Sequence, residues 1–131
     1  MIIAIDFDGT IVEHRYPEIG RIRPFAFEAL KALQEKQHRL ILWTHRAGEE
    51  LNKAVVFCRE KGIEFYAVNK NYPEEKWSEN ESRKILADIY IDDRNIGGLP
   101  PWSEIFQMIC SDDKLIELKN TNSFWRRIFT R

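Results

Sequence analysis

The stretch Ile2-Ile3-Ala4-Ile5-Asp6-Phe7-Asp8-Gly9-Thr10 decides how this chain is read. A short, wholly apolar run stops abruptly at two carboxylates, a glycine and a threonine. The run has the length of one buried strand and is too short for a helix. Residues two apart on a strand point the same way. Asp6 and Asp8 therefore share one side at the strand's end, while Phe7 turns into the core. Gly9 permits a sharp bend, and Thr10 offers a hydroxyl. Two carboxylates this close resist ionising together, which requires a held proton or a cation between them. Oxygen ligands alone suit Mg²⁺ better than zinc. The plainer alternative is a surface hairpin, because Asp8-Gly9 is a strong two-residue turn signal.

Moving outward, Ile11–Val12 and Ile19–Ile22 read as short strands of a hairpin over the site, or else as an irregular loop, with Tyr16-Pro17 and Gly20 turning the chain. Pro24 suits the first position of a helix. Ala26, Ala29, Leu30 and Leu33 then make a helical stripe, running to about Lys36. Arg39 to Thr44 is a second strand, apolar on both sides as in a covered parallel sheet. It too ends in a hydroxyl, Thr44, followed by His45, Arg46 and Gly48. A second helix spans about Glu49 to Lys61. Its stripe is Leu51, Ala54, Val55 and Cys58, Glu49 and Lys53 pair along its surface, and Gly62 caps it. Ile63–Val68 is a third strand. Ser78 and Glu81 resemble a capping box, which predicts a short helix over Glu79–Leu86. Ile89-Tyr90-Ile91 is a fourth strand and ends in Asp92-Asp93. A helix starting at Trp102 or Ser103 carries Ile105, Phe106 and Ile109.

Strands alternating with helices predict an α/β fold, a three-layer Rossmann-like sandwich with a mainly parallel sheet. Ligands in such folds bind beyond the carboxyl ends of the strands. Asp6 and Asp8, Thr44, and Asp92 and Asp93 all follow a strand end. Three strands thus deliver polar groups to one edge, which an isolated acidic turn does not.

The 131 residues suffice for one domain with a single core. A net charge of −1 gives no electrostatic case for nucleic acid or an anionic membrane as the main partner. Cys58 and Cys110 have no metal-type spacing and suit small core residues in a reducing, cytoplasmic compartment. No segment has the length of a membrane span. Residues 111–131 read as a C-terminal tail, basic and aromatic from Asn120 on through Phe124, Trp125, Arg126, Arg127, Phe129 and Arg131. Its expected role is to dock on the domain or to stay mobile.

The combination resembles the haloacid dehalogenase (HAD) superfamily of phosphohydrolases over roughly Met1 to Ile109. Asp6-Phe7-Asp8-Gly9-Thr10 matches the first motif, Thr44 the second and Ile89-Tyr90-Ile91-Asp92-Asp93 the fourth, while Lys84 is the best candidate for the basic third, with Arg83, Lys70 and Lys76 as alternatives. The resemblance implies a Mg²⁺-dependent phosphatase in which Asp6 forms an aspartyl-phosphate and Asp8 serves as acid and base. It implies a Mg²⁺ held by Asp6, the Asp8 main chain, and Asp92 or Asp93, the latter favoured as direct ligand. Lys84 would neutralise transition-state charge. Thr44 and main-chain N–H groups would bind phosphoryl oxygens, beside a helix N-terminus. Gly9, Thr10, His45 and Arg46 are expected at the substrate, with Asn69 and Tyr72 as pocket wall, Trp43 packed in the core rather than lining the pocket, and Asn95 holding the loop after the fourth strand.

The segments 11–23 and 69–82 are too small for the cap domain many HAD enzymes carry. A capless site suits a large phosphorylated substrate, closure by a second copy in a homo-oligomer, or loose selectivity. The competing reading is a non-catalytic Mg²⁺ or phosphate-binding module acting through a protein partner. A signalling receiver domain fits worse, because the third strand leads into Asn69 and Lys70 with no acid until Glu74.

Overall fold

The computed structural model describes the backbone of residues 1–120 and the side chains of residues 1–111. Its elements are β1 (Ile2–Ile5), α1 (Ala26–Glu35), β2 (Arg39–Leu42), α2 (Gly48–Glu60), β3 (Ala67–Val68), β4 (Ile89–Ile91) and α3 (Trp102–Asn120). The strands form one parallel sheet in the order β3-β2-β1-β4. The chain winds outward from β1 through β2 to β3, then crosses back to lay β4 on the other side of β1. The carboxyl ends of β1 and β4 therefore flank the point where the winding reverses, the place where such sheets bind ligands.

Alternation along the strands builds two cores of unequal size. Ile3, Ile5, Leu40, Leu42 and Ile91 face one way and meet Ala26, Ala29, Leu30 and Leu33 of α1, Ala54 and Cys58 of α2, and Trp102, Ile105 and Ile109 of α3. The predicted apolar stripes are thus the buried faces. Ala4, Ile41 and Ala67 face the other way, against Ile85, Ala87 and Tyr90. The third layer of the sandwich is therefore thin, made by chain between β3 and β4. Cys58 and Cys110 are buried thiols of the larger core.

Several sequence expectations shift. The helix predicted over Glu79–Leu86 does not form. The Ser78 hydroxyl accepts the Asn80 N–H, and the Ser82 hydroxyl the Lys84 N–H, closing local turns instead. Ile85 is buried while Leu86 is 82% exposed, and residues 79–84 carry no apolar stripe to offset helix nucleation. The side-chain carbonyl of Asn71 takes the Leu86 N–H and anchors the segment. Pro24 lies before α1, with Phe25 at its N-cap in a left-handed conformation. Lys53 pairs with Glu50. Gly62, at φ +91°, does end α2, as the Ile63 N–H reaches the Cys58 carbonyl and the Gly62 N–H that of Arg59.

The hairpin is a short one. Val12 bridges Ile22, the Glu13 N–H donates to Arg21, and the Arg23 N–H donates to Ile11. Among the described residues, neither 11–23 nor 69–82 builds a cap domain. No helix among them is long and apolar enough to cross a membrane. Residues 111–120 continue α3 rather than starting a tail. The basic aromatic residues Phe124 to Arg131 lie outside the described residues.

Candidate active site

The Asp6 N–H donates to the Ile91 carbonyl at 3.0 Å, which carries the β1–β4 pairing one residue past β1 and brings Asp6 beside the acids that end β4. One carboxylate oxygen each from Asp6, Asp92 and Asp93 lies within 4.8 Å of the others. Burial is the largest cause of a rise in the Asp6 pKa from its ordinary 3.8 to about 7. The charges of Asp92 and Asp93, and a hydrogen bond shared with Asp93, push the same way. Three hard oxygen donors that repel one another are a donor set suited to Mg²⁺.

Asp8 takes a different course from the one its spacing predicts. Its carboxylate receives a fork from Arg46, Nε on one oxygen and Nη2 on the other, both at 2.7 Å. The Arg46 side chain is 1% exposed and that of Asp8 12%. The remaining Arg46 N–H groups donate to the carbonyls of Pro17, Glu18 and Glu50. All five donors of the guanidinium are thereby used inside the protein. Arg46, expected at the substrate, thus has every guanidinium N–H engaged within the protein. It orients Asp8 and holds the hairpin against α2. The Asp8 carboxylate stands outside the acidic group formed by Asp6, Asp92 and Asp93.

Gly9 and Thr10, expected at the substrate, instead hold the acids in place. Thr10 is buried. Its hydroxyl donates toward Asp93 at 3.1 Å, with Asp6 at 3.4 Å, and accepts the Asp93 N–H at 3.0 Å. Its carbonyl accepts the indole N–H of Trp102 at 2.8 Å, which ties the start of α3 to the same loop. Gly9 sits at φ +82°, and a Cβ there would meet an Asp93 oxygen at 2.3 Å. Only glycine lets the two loops close to this distance. Asn95 secures the loop after β4 as expected, donating to the Asp92 carbonyl at 2.7 Å.

A recess of about 530 Å³ opens beside these groups, lined by Asp6, Asp8, Thr44, His45, Arg46 and Asp92 among the expected residues, with Trp43 beside them. The Thr44 hydroxyl accepts the Arg46 N–H, leaving its own proton to donate into the recess, and the Thr44 N–H is held by the Asn69 side chain. The α2 N-terminus follows at Gly48, but Glu49 and Glu50 in its first turn oppose an anion there. Lys84 is not brought to the recess. Its ammonium lies 5.1 Å from the Tyr90 ring centre, on the thin side of the sheet, where the missing helix fails to carry it forward. Arg94, His14 and Tyr16 line the recess without having been singled out as site residues. The one available signal was position, Arg94 directly after the paired acids and the other two inside the hairpin.

Among solved structures, a conserved protein from Bacteroides thetaiotaomicron is similar to this chain, with 59% sequence identity and a TM-score of 0.81. The similarity covers 86% of this chain and 91% of that one. No protein-family model and no curated protein matches the chain.

Proposed function

We propose that this chain, which belongs to the same family as that conserved Bacteroides thetaiotaomicron protein, is a Mg²⁺-dependent phosphomonoesterase of HAD type. The observation that carries the reading is the meeting of Asp6, Asp92 and Asp93 within 4.8 Å at the switch point of the sheet, at the edge of a recess that Thr44 also lines. Asp6, Asp92 and Asp93 would hold Mg²⁺, which neutralises charge on the nucleophile and the phosphoryl oxygens when bound. The Asp6 carboxylate attacks phosphorus, and the leaving oxygen departs with a proton from Asp8. Asp8 then takes a proton from the water that cleaves the aspartyl-phosphate, releasing phosphate. Arg46 sets the direction of Asp8 in the resting site and releases one of its oxygens for the proton transfers. The Thr44 hydroxyl donates to a phosphoryl oxygen, and Arg94 replaces Lys84 as the cation at the recess.

Turnover of a panel of phosphomonoesters with and without Mg²⁺ tests this. Asp6→Asn is expected to abolish a Mg²⁺-dependent activity of the wild type. Wild-type protein no faster than Asp6→Asn on every compound would remove the proposal. The second reading, a Mg²⁺ and phosphate-binding module acting through a partner, is favoured by one observation. Arg46 occupies both Asp8 oxygens, which a proton carrier must release. That reading expects Mg²⁺-dependent phosphate binding with no turnover.

A further inference from the structure

Tyr16 is a large aromatic side chain, 51% exposed, on the lip of the recess. It is not loosely placed. The Arg46 guanidinium lies 5.1 Å from its ring centre, and the same guanidinium binds the carbonyls of the next two residues, Pro17 and Glu18. One face of the ring is thus fixed from within by a charge that cannot move without releasing Asp8. Shielding Arg46 does not account for the ring. Phe7 already covers that guanidinium at 5.1 Å, and the arginine side chain is 1% exposed while Tyr16 still shows half its surface. Trp43, half-buried, supplies a second ring to the same recess. His14, His45 and Arg94 add hydrogen-bond donors and a cation around these rings. The volume of about 530 Å³ falls in the usual range of small-molecule sites.

We infer that the leaving group of the substrate carries a planar aromatic ring, which stacks on the pre-oriented Tyr16. This rests on the phosphomonoesterase reading for the identity of the phosphate site. A flat ring fits an aromatic platform with one face presented, because stacking needs no enclosing cap and depends on the platform being rigid. Two sources share this chemistry, a nucleoside monophosphate and an aryl phosphate, and matched pairs separate them.

The test compares adenosine 5′-monophosphate with ribose 5-phosphate, and O-phosphotyrosine with O-phosphoserine. Turnover is measured in wild type with Mg²⁺, and binding is measured calorimetrically in Asp6→Asn with Mg²⁺. At least one ring-bearing member is expected to exceed its ring-less counterpart by about tenfold or more, the scale of one base–aromatic stack. The pair that shows the preference identifies the source. The ratio is expected to fall to about one in Tyr16→Ala and to survive in Tyr16→Phe. Ring-bearing and ring-less compounds handled alike by the wild type overturn the inference while leaving the phosphatase reading intact. A ratio unchanged by Tyr16→Ala also overturns it. A ring preference in binding without any turnover supports it and removes the phosphatase reading instead.

Discussion

Asp6 is a carboxylate whose surroundings oppose its charge. Burial comes first, then Asp92 and Asp93, and together they lift its pKa from 3.8 to about 7. In the metal-free protein the folded state keeps this proton up to about 7, while the unfolded chain releases it near 3.8. Between those values the unfolded state binds fewer protons, so stability falls as pH rises through the window and levels off above it. Melting temperatures of metal-free protein from pH 4 to 8 should show this decline, and Asp6→Asn should flatten it. At pH 8, Mg²⁺ should raise the wild-type melting temperature, because under the proposed reading the folded cluster alone would hold it, and leave Asp6→Asn little changed. Equal slopes for the two proteins would mean that Asp6 does not carry the effect. Cys58 shows the same physics in an apolar setting, where burial alone pushes its thiol up to about 12 and leaves it inert.

At the scale of elements, two loops make the site, and glycine decides how near they come. The loop after β1 and the loop after β4 touch at Gly9 and Asp93, with Thr10 hydrogen-bonded across the gap. Gly9→Ala would place a methyl group 2.3 Å from an Asp93 oxygen, at a φ of +82° that costs an L residue about 1–2 kcal/mol. It is expected to weaken Mg²⁺ binding by about 10–100-fold, the usual penalty for disturbing what orients a ligand, and to lower the urea midpoint modestly. Wild-type Mg²⁺ affinity in this variant would show that Asp93 is not positioned by the contact. The failed helix over residues 79–86 belongs to this scale as well. Its capping signal was local, whereas the segment's place was set by Asn71, many residues upstream, and by Ile85 entering the thin core. Local propensity is a weak prior when no apolar face supports it.

Across the whole molecule, Arg46 joins what the chain separates. It binds the carboxylate of Asp8 after β1, two carbonyls of the hairpin and one in α2, and it lies against the rings of Phe7 and Tyr16. Arg46→Met would leave Asp8 nearly buried without its partner. The expected loss is about 3–5 kcal/mol, a large share of the ~5–15 kcal/mol that holds a typical domain folded. Arg46→Lys should recover little of it, because one ammonium cannot supply a planar fork or five directed donors. Denaturant midpoints of the two variants check this, and a lysine variant as stable as wild type would refute the claim that fork geometry matters.

What the amino-acid order determined by itself was whatever depends on period and on strand ends. The apolar runs ending in Asp6, Thr44 and Asp92, with the stripes of Ala26 to Leu33 and Leu51 to Cys58 between them, specify an α/β fold with acids at one edge. Burial of a repeating face is a local property of the pattern. What only the tertiary structure decided was which acids meet and which polar groups are already engaged. Asp8 turns to Arg46, Thr10 faces Asp93 rather than a substrate, and Lys84 rests on Tyr90 while Arg94 and Tyr16 line the recess. Each of these outcomes rests on a hydrogen bond, ion pair or ring contact, or on a place at the recess, set by how distant elements pack. Such partners have no period in sequence, so they become legible only when the sheet has set its strands side by side.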